Sequence, residues 1–303
     1  MLRRALVLSL VLLSAPAVAG PSVQVGWLWS PKSRLKERVG QRNVDDAKYR
    51  AFAWRLGYRW DTETHGQGGV RLGYTHRSID RKCFSCEVSG PWPQDLYTLF
   101  GRAEWQHRMS PDYEWAAYLV SAYENASENA SRARDWNLGL GLLVRRQLQL
   151  AAVGVGVDWN RSFVTKILMP VLEVRSESSR FIAHALLPLE ATVRFQWRPG
   201  LEVGVMAWQQ GGEYRADNED SEISEWVRYW STTVGSGIAV ALGATDISLA
   251  IRGGLEFWRR FDGVDSDGKR TKREFERAPS VELSIRFGND RDKDGQTVVW
   301  GWN

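Results

Sequence analysis

The sequence lacks the features that mark a membrane helix, a metal site or a nucleic-acid-binding surface. Beyond the first twenty residues, no apolar run approaches the roughly 20 residues that a membrane helix requires. Only 2 cysteines and 4 histidines occur among 303 residues, and they form no cluster with metal-ligand spacing. The formal net charge is +4, which does not indicate a nucleic-acid partner. We therefore predict no metal and no cofactor.

Candidates for catalysis are equally scarce. The segment Thr75-His76-Arg77-Ser78 places a histidine beside a serine, but neighbouring residues of a strand face opposite ways. No orienting partner for such a pair and no phosphate-binding glycine loop is recognisable. We therefore predict that the protein is not an enzyme.

The two cysteines form the sequence Cys83-Phe84-Ser85-Cys86 within a polar stretch. In an exported protein this spacing favours a local disulfide, because the outer compartments are oxidising. A redox motif would need a strand-to-helix setting, and a zinc site would need two further ligands.

The first nineteen residues are predicted to be a cleaved signal peptide. Arg3 and Arg4 provide the basic start, residues 5–13 the apolar run, and Ala17-Val18-Ala19 the small-residue cleavage site. A noncleaved anchor helix is the alternative, but the apolar run is too short to cross a bilayer. An exported chain without a membrane helix enters a bilayer only as a closed barrel, because open sheet edges cannot be satisfied in hydrocarbon.

What the sequence does contain is alternation with a period of two. In residues 189–198 the apolar side chains of Leu189, Val193 and Trp197 share one face and polar side chains the other, and Pro199-Gly200 then reverses the chain. The same pattern recurs in residues 49–60 and in most later segments. It predicts amphipathic strands joined as antiparallel hairpins.

About twelve to fourteen such strands fit between residues 20 and 303, depending on whether residues 166–187 hold two short strands or one bent region. Long polar loops alternate with short turns, as in outer-membrane barrels. We predict an all-β, antiparallel, up-and-down transmembrane barrel in one domain, with residues 289–303 as a polar tail or a short closing strand. A soluble sandwich or lipocalin-like barrel is the alternative, because periodicity does not show which face is inside.

The second face of these strands carries small and charged residues, which we predict to line the lumen. Guanidinium and carboxylate groups there either line a water path or pair across strands as a structural ladder. The predicted lumen residues are Arg55, Arg59, Arg71, Arg102, Glu104, Glu190, Arg194, Glu202, Arg252, Glu256, Glu282 and Arg286.

The 16 tryptophans lie preferentially near strand ends. An indole buries its ring and keeps its N–H wet, so aromatic girdles form at the two membrane interfaces. The predicted girdle consists of Trp60, Trp105, Trp136, Trp159, Trp197, Trp208, Trp226 and Trp258.

The chain resembles a family of uncharacterised, porin-like outer-membrane β-barrels of Gram-negative bacteria. The resemblance rests on the signal sequence, on residues 168–175, on Leu187-Pro188-Leu189 with Val193-Arg194-Phe195 and Pro199, and on Gly211-Gly212-Glu213-Tyr214-Arg215. It implies a barrel in the outer membrane but no site residues. One departure is the ending Trp300-Gly301-Trp302-Asn303, where such barrels usually end on an aromatic residue.

We therefore expect a passive channel or small-molecule transporter of the outer membrane. A non-conducting barrel with a structural or surface-interaction role is the alternative, and a lipid-modifying enzyme ranks third. The expected partners are outer-membrane lipid and the barrel-assembly machinery, with no nucleic acid. The cargo is not specified by the sequence.

Overall fold

The structure is a computed structural model that describes most of the chain between residues 21 and 288. The described ranges are 21–34, 46–62, 66–82, 95–125, 136–149, 151–160, 168–178, 180–188, 190–215, 226–242, 247–264 and 270–288. The predicted signal peptide, the two cysteines and the C-terminal segment lie outside them. No helix long and apolar enough to cross a membrane occurs in these ranges.

Alternating side chains give an all-strand fold, in which each strand pairs with its neighbours along the chain. The strands are β1 (Pro21–Arg34), β2 (Asp46–Thr62), β3 (Gly66–Lys82), β4 (Asp95–Arg108), β5 (Tyr113–Asn125), β6 (Trp136–Gln147), β7 (Ala152–Asn160), β8 (Leu168–Glu177), β9 (Phe181–Leu187), β10 (Glu190–Arg198), β11 (Leu201–Arg215), β12 (Trp226–Ala241), β13 (Ile247–Val264), β14 (Arg270–Glu274) and β15 (Ala278–Gly288).

The sheet closes on itself. Consecutive strands from β1 to β13 pair antiparallel, β13 pairs with β15, and β15 pairs with β1. The short strand β14 pairs only with the last residues of β13 and is not one of the strands that form this ring. The result is a closed antiparallel barrel of 14 strands, which confirms the predicted fold class.

The two ends of the barrel differ. Short connections such as residues 109–112 and Pro199-Gly200 lie at one end, here called the short-turn end. Longer connections lie at the other, the long-loop end, except that β9 and β10 are joined there by only Pro188-Leu189. Residues 166–187, ambiguous in sequence, contain the two short strands β8 and β9.

Several strands extend further into the long-loop end than their sequence pattern predicts. Residues 259–277 are rich in charged residues and lack alternation, yet β13 runs to Val264 and β14 follows from Arg270. Similarly, β11 continues to Arg215 although its apolar alternation ends before Gly211. These extensions lose the apolar alternation, so periodicity did not detect them.

Apolar side chains cover the outside of the barrel. Alternate residues of β6 and β7, such as Leu140 and Val155, are exposed, Val155 to 64% of its surface. Their neighbours Gly141, Gly154 and Asp158 are buried on the opposite face. A soluble barrel would place its large apolar residues inside, so this arrangement favours a lipid-facing wall.

The barrel narrows at its long-loop end. There Arg215 of β11 pairs in parallel with Asn125 of β5, although five strands, β6–β10, separate them in the ring. At this level β5 and β11 are adjacent, and β6–β10 no longer form part of the wall. Because barrel diameter grows with strand number, the lumen is narrower here than at the short-turn end.

Candidate functional site

The twelve residues predicted to line the lumen all lie on the inner face, opposite the exposed apolar side chains. They divide into two groups by burial. Arg55, Arg194, Glu202, Arg252, Glu256, Glu282 and Arg286 are buried, whereas Arg59, Arg71, Arg102, Glu104 and Glu190 are partly exposed.

The buried group contains ion pairs typical of a structural ladder. Arg252 of β13 and Glu282 of β15 are directly paired in register and form a salt bridge, with each side chain only 3% exposed. Arg194 and Glu202 lie 3.5 Å apart across the β10–β11 hairpin. Such fully enclosed pairs stay in place, because breaking one leaves an uncompensated buried charge.

The partly exposed group centres on Glu104 of β4, which three guanidinium groups share. Arg71 lies 3.1 Å from its carboxylate, Arg102 3.3 Å and Arg59 3.6 Å. We call these four residues the arginine cluster. Arg59 and Arg71 remain 35% and 31% exposed, so three cations surround one anion at a surface that water reaches. The cluster carries net positive charge.

Glycines in the adjacent strands β3 and β6 leave space for large aromatic side chains beside this cluster. A Cβ at Gly141 would lie 2.0 Å from the Tyr118 ring, and one at Gly73 would lie 2.4 Å from the Phe100 ring. Tyr118 in turn packs under the Arg102 guanidinium at 4.4 Å and donates a hydrogen bond to Asp158.

A second network occupies the shorter strands. Arg145 of β6 contacts Glu114 at 2.5 Å and forms a salt bridge with Glu173 of β8. His184 of β9 lies 2.9 Å from Glu173 and 3.5 Å from Glu190 of β10. Glu190 also interacts electrostatically with Arg71, which links this network to the arginine cluster.

The narrow long-loop end is filled by a packed group of side chains, which we call the outer core. The ring of Tyr49 stacks on that of Tyr229, with 5.8 Å between the ring centres. The ring centres of Tyr229 and Phe261 lie 5.0 Å apart, and those of Phe261 and Phe275 lie 5.5 Å apart. All are almost fully buried. The complete cluster of buried residues is Tyr49, Ile79, Leu96, Tyr214, Tyr229, Phe261 and Phe275.

Arginine and glutamate side chains secure the outer core to the wall. Arg77 donates to the Tyr214 hydroxyl at 2.8 Å, and the Arg259 guanidinium lies 5.1 Å from the centre of the Tyr49 ring. The Glu124 carboxylate accepts from the Glu213 backbone N–H at 3.2 Å and from Asn137, which supports the β5–β11 contact. The outer core thus lies directly across the lumen.

The predicted girdle is placed unevenly. Trp60 and Trp105 pack together on the outer face near the short-turn end, and Trp197 is 69% exposed there. Trp136 and Trp159 lie on the outer face near the long-loop end. The side chains of Trp226 and Trp258 are not among those described.

Trp208 corrects that prediction. It packs beside Met206, Ala239 and Ala250, and the Arg252 guanidinium lies 5.9 Å from its ring. It is therefore an inner-face residue, since the even-numbered residues of β11, such as Glu202 and Met206, point inwards. We call this odd or even placement of a residue along a strand its parity. Its position near a strand end suggested a girdle, but its parity assigns the face.

Sequence reasoning missed the outer core and the network of Arg145, Glu173 and His184. The parity of Arg145 and Glu173 in their strands was available and would have placed both inside. No local signal identifies the outer core, because Tyr49 of β2 meets Tyr229 of β12, and these two strands are not neighbours in the ring.

His76 pairs with a carboxylate on the outer face of the barrel. His76 and Ser78 are two residues apart and share the outer face, so opposite orientation does not separate them. The His76 Nε2 lies 2.7 Å from Asp95 Oδ1, and its ring stacks on Tyr97 at 4.7 Å. In the described ranges no three His, Cys, Asp or Glu side chains converge as a metal site.

No protein-family model and no curated protein sequence matches the chain. Several solved structures are similar in shape. The COG4313 outer membrane channel from Pseudomonas putida F1 is 11% identical, with 91% of this chain and 98% of that chain covered and a TM-score of 0.46. A TodX monoaromatic hydrocarbon channel mutant is 12% identical, with 91% of this chain and 92% of that chain covered and a TM-score of 0.41. LpxR from Salmonella typhimurium is 11% identical, with 88% of this chain and 99% of that chain covered and a TM-score of 0.37. These likenesses are too distant to indicate an activity.

Proposed function

We propose that the protein spans the outer membrane as a transport barrel for small anionic molecules. Its outer surface supports a bilayer location: exposed aliphatic residues occupy the middle of the wall and tryptophans lie towards both ends. The predicted signal peptide and the barrel architecture together favour the outer membrane over other bilayers.

The arginine cluster is the observation that carries the transport proposal. Most charges of the inner wall are enclosed in buried pairs, but Arg59, Arg71 and Arg102 share one carboxylate and remain open to water. An anion entering the lumen from the short-turn end would therefore meet an excess of guanidinium groups. Guanidinium groups bind carboxylates and phosphates through paired hydrogen bonds.

The outer core restricts how transport occurs. It fills the lumen where the wall excludes β6–β10, so the conformation described here provides no wide axial pore between the described strands. Movement of an anion along the barrel axis requires displacement of Tyr49 and Tyr229, or departure through another route.

The second candidate is a non-conducting barrel. The buried pairs Arg252–Glu282 and Arg259–Glu256 together with the outer core favour it, because they stabilise a filled lumen. An enzyme ranks third. The His76–Asp95 pair lies on the outer face, but its Nε2 is occupied by the carboxylate and is not presented to a serine.

Ion conduction in planar bilayers tests the proposal. The unaltered protein should give little conductance, whereas Tyr49→Ala with Tyr229→Ala should open the axis and conduct with preference for anions. In that double variant, Arg59→Gln, Arg71→Gln and Arg102→Gln together should abolish the preference. Arg50→Gln, on the exposed outer face of the same strand as Arg59, is the matched control and should leave it unchanged.

The outcomes separate the candidates. An opened variant without anion preference contradicts the role of the arginine cluster. A folded opened variant that stays silent supports the non-conducting barrel instead. Heat-modifiable gel migration of each purified variant establishes that its barrel has folded.

A further inference from the structure

Strands β9 and β10 form a low segment of the barrel wall. They contain 7 and 9 residues, whereas the next three strands contain 15, 16 and 18. The β9–β10 turn lies eight residues from Trp197 along the chain. At roughly 3.3 Å per residue and a tilt of about 40°, this rise is about 20 Å along the membrane normal, below the roughly 25 Å of an apolar band. If Trp197 marks one interface, the β9–β10 turn ends inside the hydrocarbon.

The neighbouring strands continue above this turn. β11 pairs with β10 only as far as Trp208, and among the described strands none pairs with residues 209–214 on that side. β8 pairs with β9 only from Leu172, so residues 168–171 pair with β7 on one side and have no described strand on the β9 side. The Asn125–Arg215 contact joins β5 to β11 above. The described strands thus enclose a gap in the wall, here called the side opening.

The border of the side opening is apolar. Leu168, Leu172 and Leu187 project outwards around it and are exposed, and the turn itself reads Leu187-Pro188-Leu189. Several other connections at the long-loop end are rich in charged and polar residues, for example residues 126–135 and 216–225. A turn tip in water would be polar, so the apolar tip agrees with the calculated height.

Unpaired strand backbone cannot face hydrocarbon alone, because each unsatisfied group costs several kcal/mol. Pro170 and Pro188 each remove one backbone donor near the opening. The Glu213 backbone N–H donates to Glu124 and the Glu213 carbonyl accepts from Asn137. The other unpaired groups of β8 and β11 must contact water or a ligand from the lumen. This requirement indicates that the side opening communicates with the interior.

Polar groups lie on the inner face next to the opening. His184 and Glu190 are partly exposed beside it, and Glu190 interacts with Arg71 of the arginine cluster. Moving inwards, a molecule would pass from an apolar border, past the side chains of His184 and Glu190, to the three guanidinium groups of the arginine cluster. An apolar body with one acidic headgroup matches this order of environments.

We propose that the side opening admits amphiphiles with an apolar body and a single acidic headgroup, moving between the outer membrane and the lumen. The apolar border contacts the body, and the headgroup reaches the arginine cluster. The outer core then needs no displacement, because the route bypasses it. This inference rests on the proposed transport function and names its substrate class and entry route.

Depth measurement tests the opening independently of transport. In a Cys83→Ser, Cys86→Ser background, nitroxide labels are placed at Pro188, at Pro199 in the opposite short turn, and at the lipid-facing Leu172. We expect the label at Pro188 to collide with oxygen far more than with a water-soluble nickel chelate, as at Leu172, and the label at Pro199 to show the reverse. Water-like collisions at Pro188 would place the turn outside the bilayer and overturn the inference.

Photo-crosslinking tests the ligand. A long-chain carboxylate carrying a benzophenone at its chain end is incorporated into liposomes with the protein, and labelled peptides are mapped by mass spectrometry. We expect labelling at inner-face residues near the opening, such as Met169 and Leu186. Lengthening β9 and β10 by two residues each, with an alternating Thr-Val pair on each strand, should reduce inner labelling at least fivefold.

Matched probes separate the possible occupants. The corresponding long-chain alcohol should label the inner face at least fivefold less, and labelling confined to outer-face residues would refute entry. Equal inner labelling by a phospholipid carrying the same benzophenone would identify a lipid chain as the occupant and overturn the proposed class. Anion conduction through the Tyr49→Ala, Tyr229→Ala barrel should survive the strand extension, so loss of the side route is distinguishable from failure of the transport function.

Discussion

At the scale of single residues, the inner wall assigns different roles to chemically similar groups. Arg252 and Arg71 both face the lumen, but Arg252 is enclosed with Glu282 whereas Arg71 is open to water beside Glu104. Sequence reasoning left the pore and the ladder as alternatives for the whole set. The structure separates them by burial, which depends on how many strands surround each side chain.

The Arg252–Glu282 pair should behave as a buried ion pair. We expect Glu282→Gln alone to destabilise the barrel by about 3–5 kcal/mol, because Arg252 is left buried without its carboxylate. Arg252→Met with Glu282→Leu should recover most of this loss, since both charges are removed together. Urea unfolding in liposomes measures both variants.

The comparison with the exposed cluster provides a control. Glu104→Gln should cost far less, because water reaches its three arginine partners. Equal losses for Glu282→Gln and Glu104→Gln would contradict the division of the inner wall into buried and accessible charges.

Gly141 should be intolerant of a side chain. A Cβ there would lie 2.0 Å from the Tyr118 ring, so Gly141→Val should destabilise the barrel by about 1–3 kcal/mol through overpacking. Adding Tyr118→Ala should relieve the clash, giving a loss smaller than the sum of the two single variants. Additive losses in equilibrium unfolding would show that the two side chains do not compete for this space.

At the scale of elements, the odd or even place of a residue in its strand predicts its face better than its distance from the strand end does. Parity places Trp208 and Arg145 inside, and both placements follow from β-strand geometry alone. End position suggested a girdle for Trp208 and was wrong. Strand ends were also less predictable at the long-loop end, where β13 and β11 extend beyond the apolar alternation.

The β11 strand carries a consequence for its own stability. Its residues 201–208 pair on both sides, but residues 209–214 pair only with β12 among the described strands. We expect backbone amides of residues 209–214 to exchange hydrogen faster than those of residues 201–208, because they have fewer constraining partners. Hydrogen-exchange mass spectrometry of the protein in nanodiscs measures this difference, and residues 226–230 of β12, which pair on both sides, provide the comparison.

At the scale of the whole molecule, the sequence was sufficient for the barrel but not for its closed end. Hairpin alternation predicts neighbouring pairs among twelve to fourteen strands, and the structure has 14 strands in the ring. The β5–β11 contact joins strands far apart in the ring, and only this contact brings Tyr214 next to Leu96 and Tyr49. No local pattern encodes such a contact, so the outer core could not be predicted.

The short β9–β10 hairpin has a final consequence for assembly. Each of the other hairpins that reach the long-loop end must carry a polar segment across the hydrocarbon before the barrel closes. This hairpin carries only Leu187-Pro188-Leu189 at its tip, so its insertion meets the lowest barrier of any hairpin in the chain. The β9–β10 hairpin, which borders the side opening, is therefore also the hairpin that inserts into the bilayer most easily during folding.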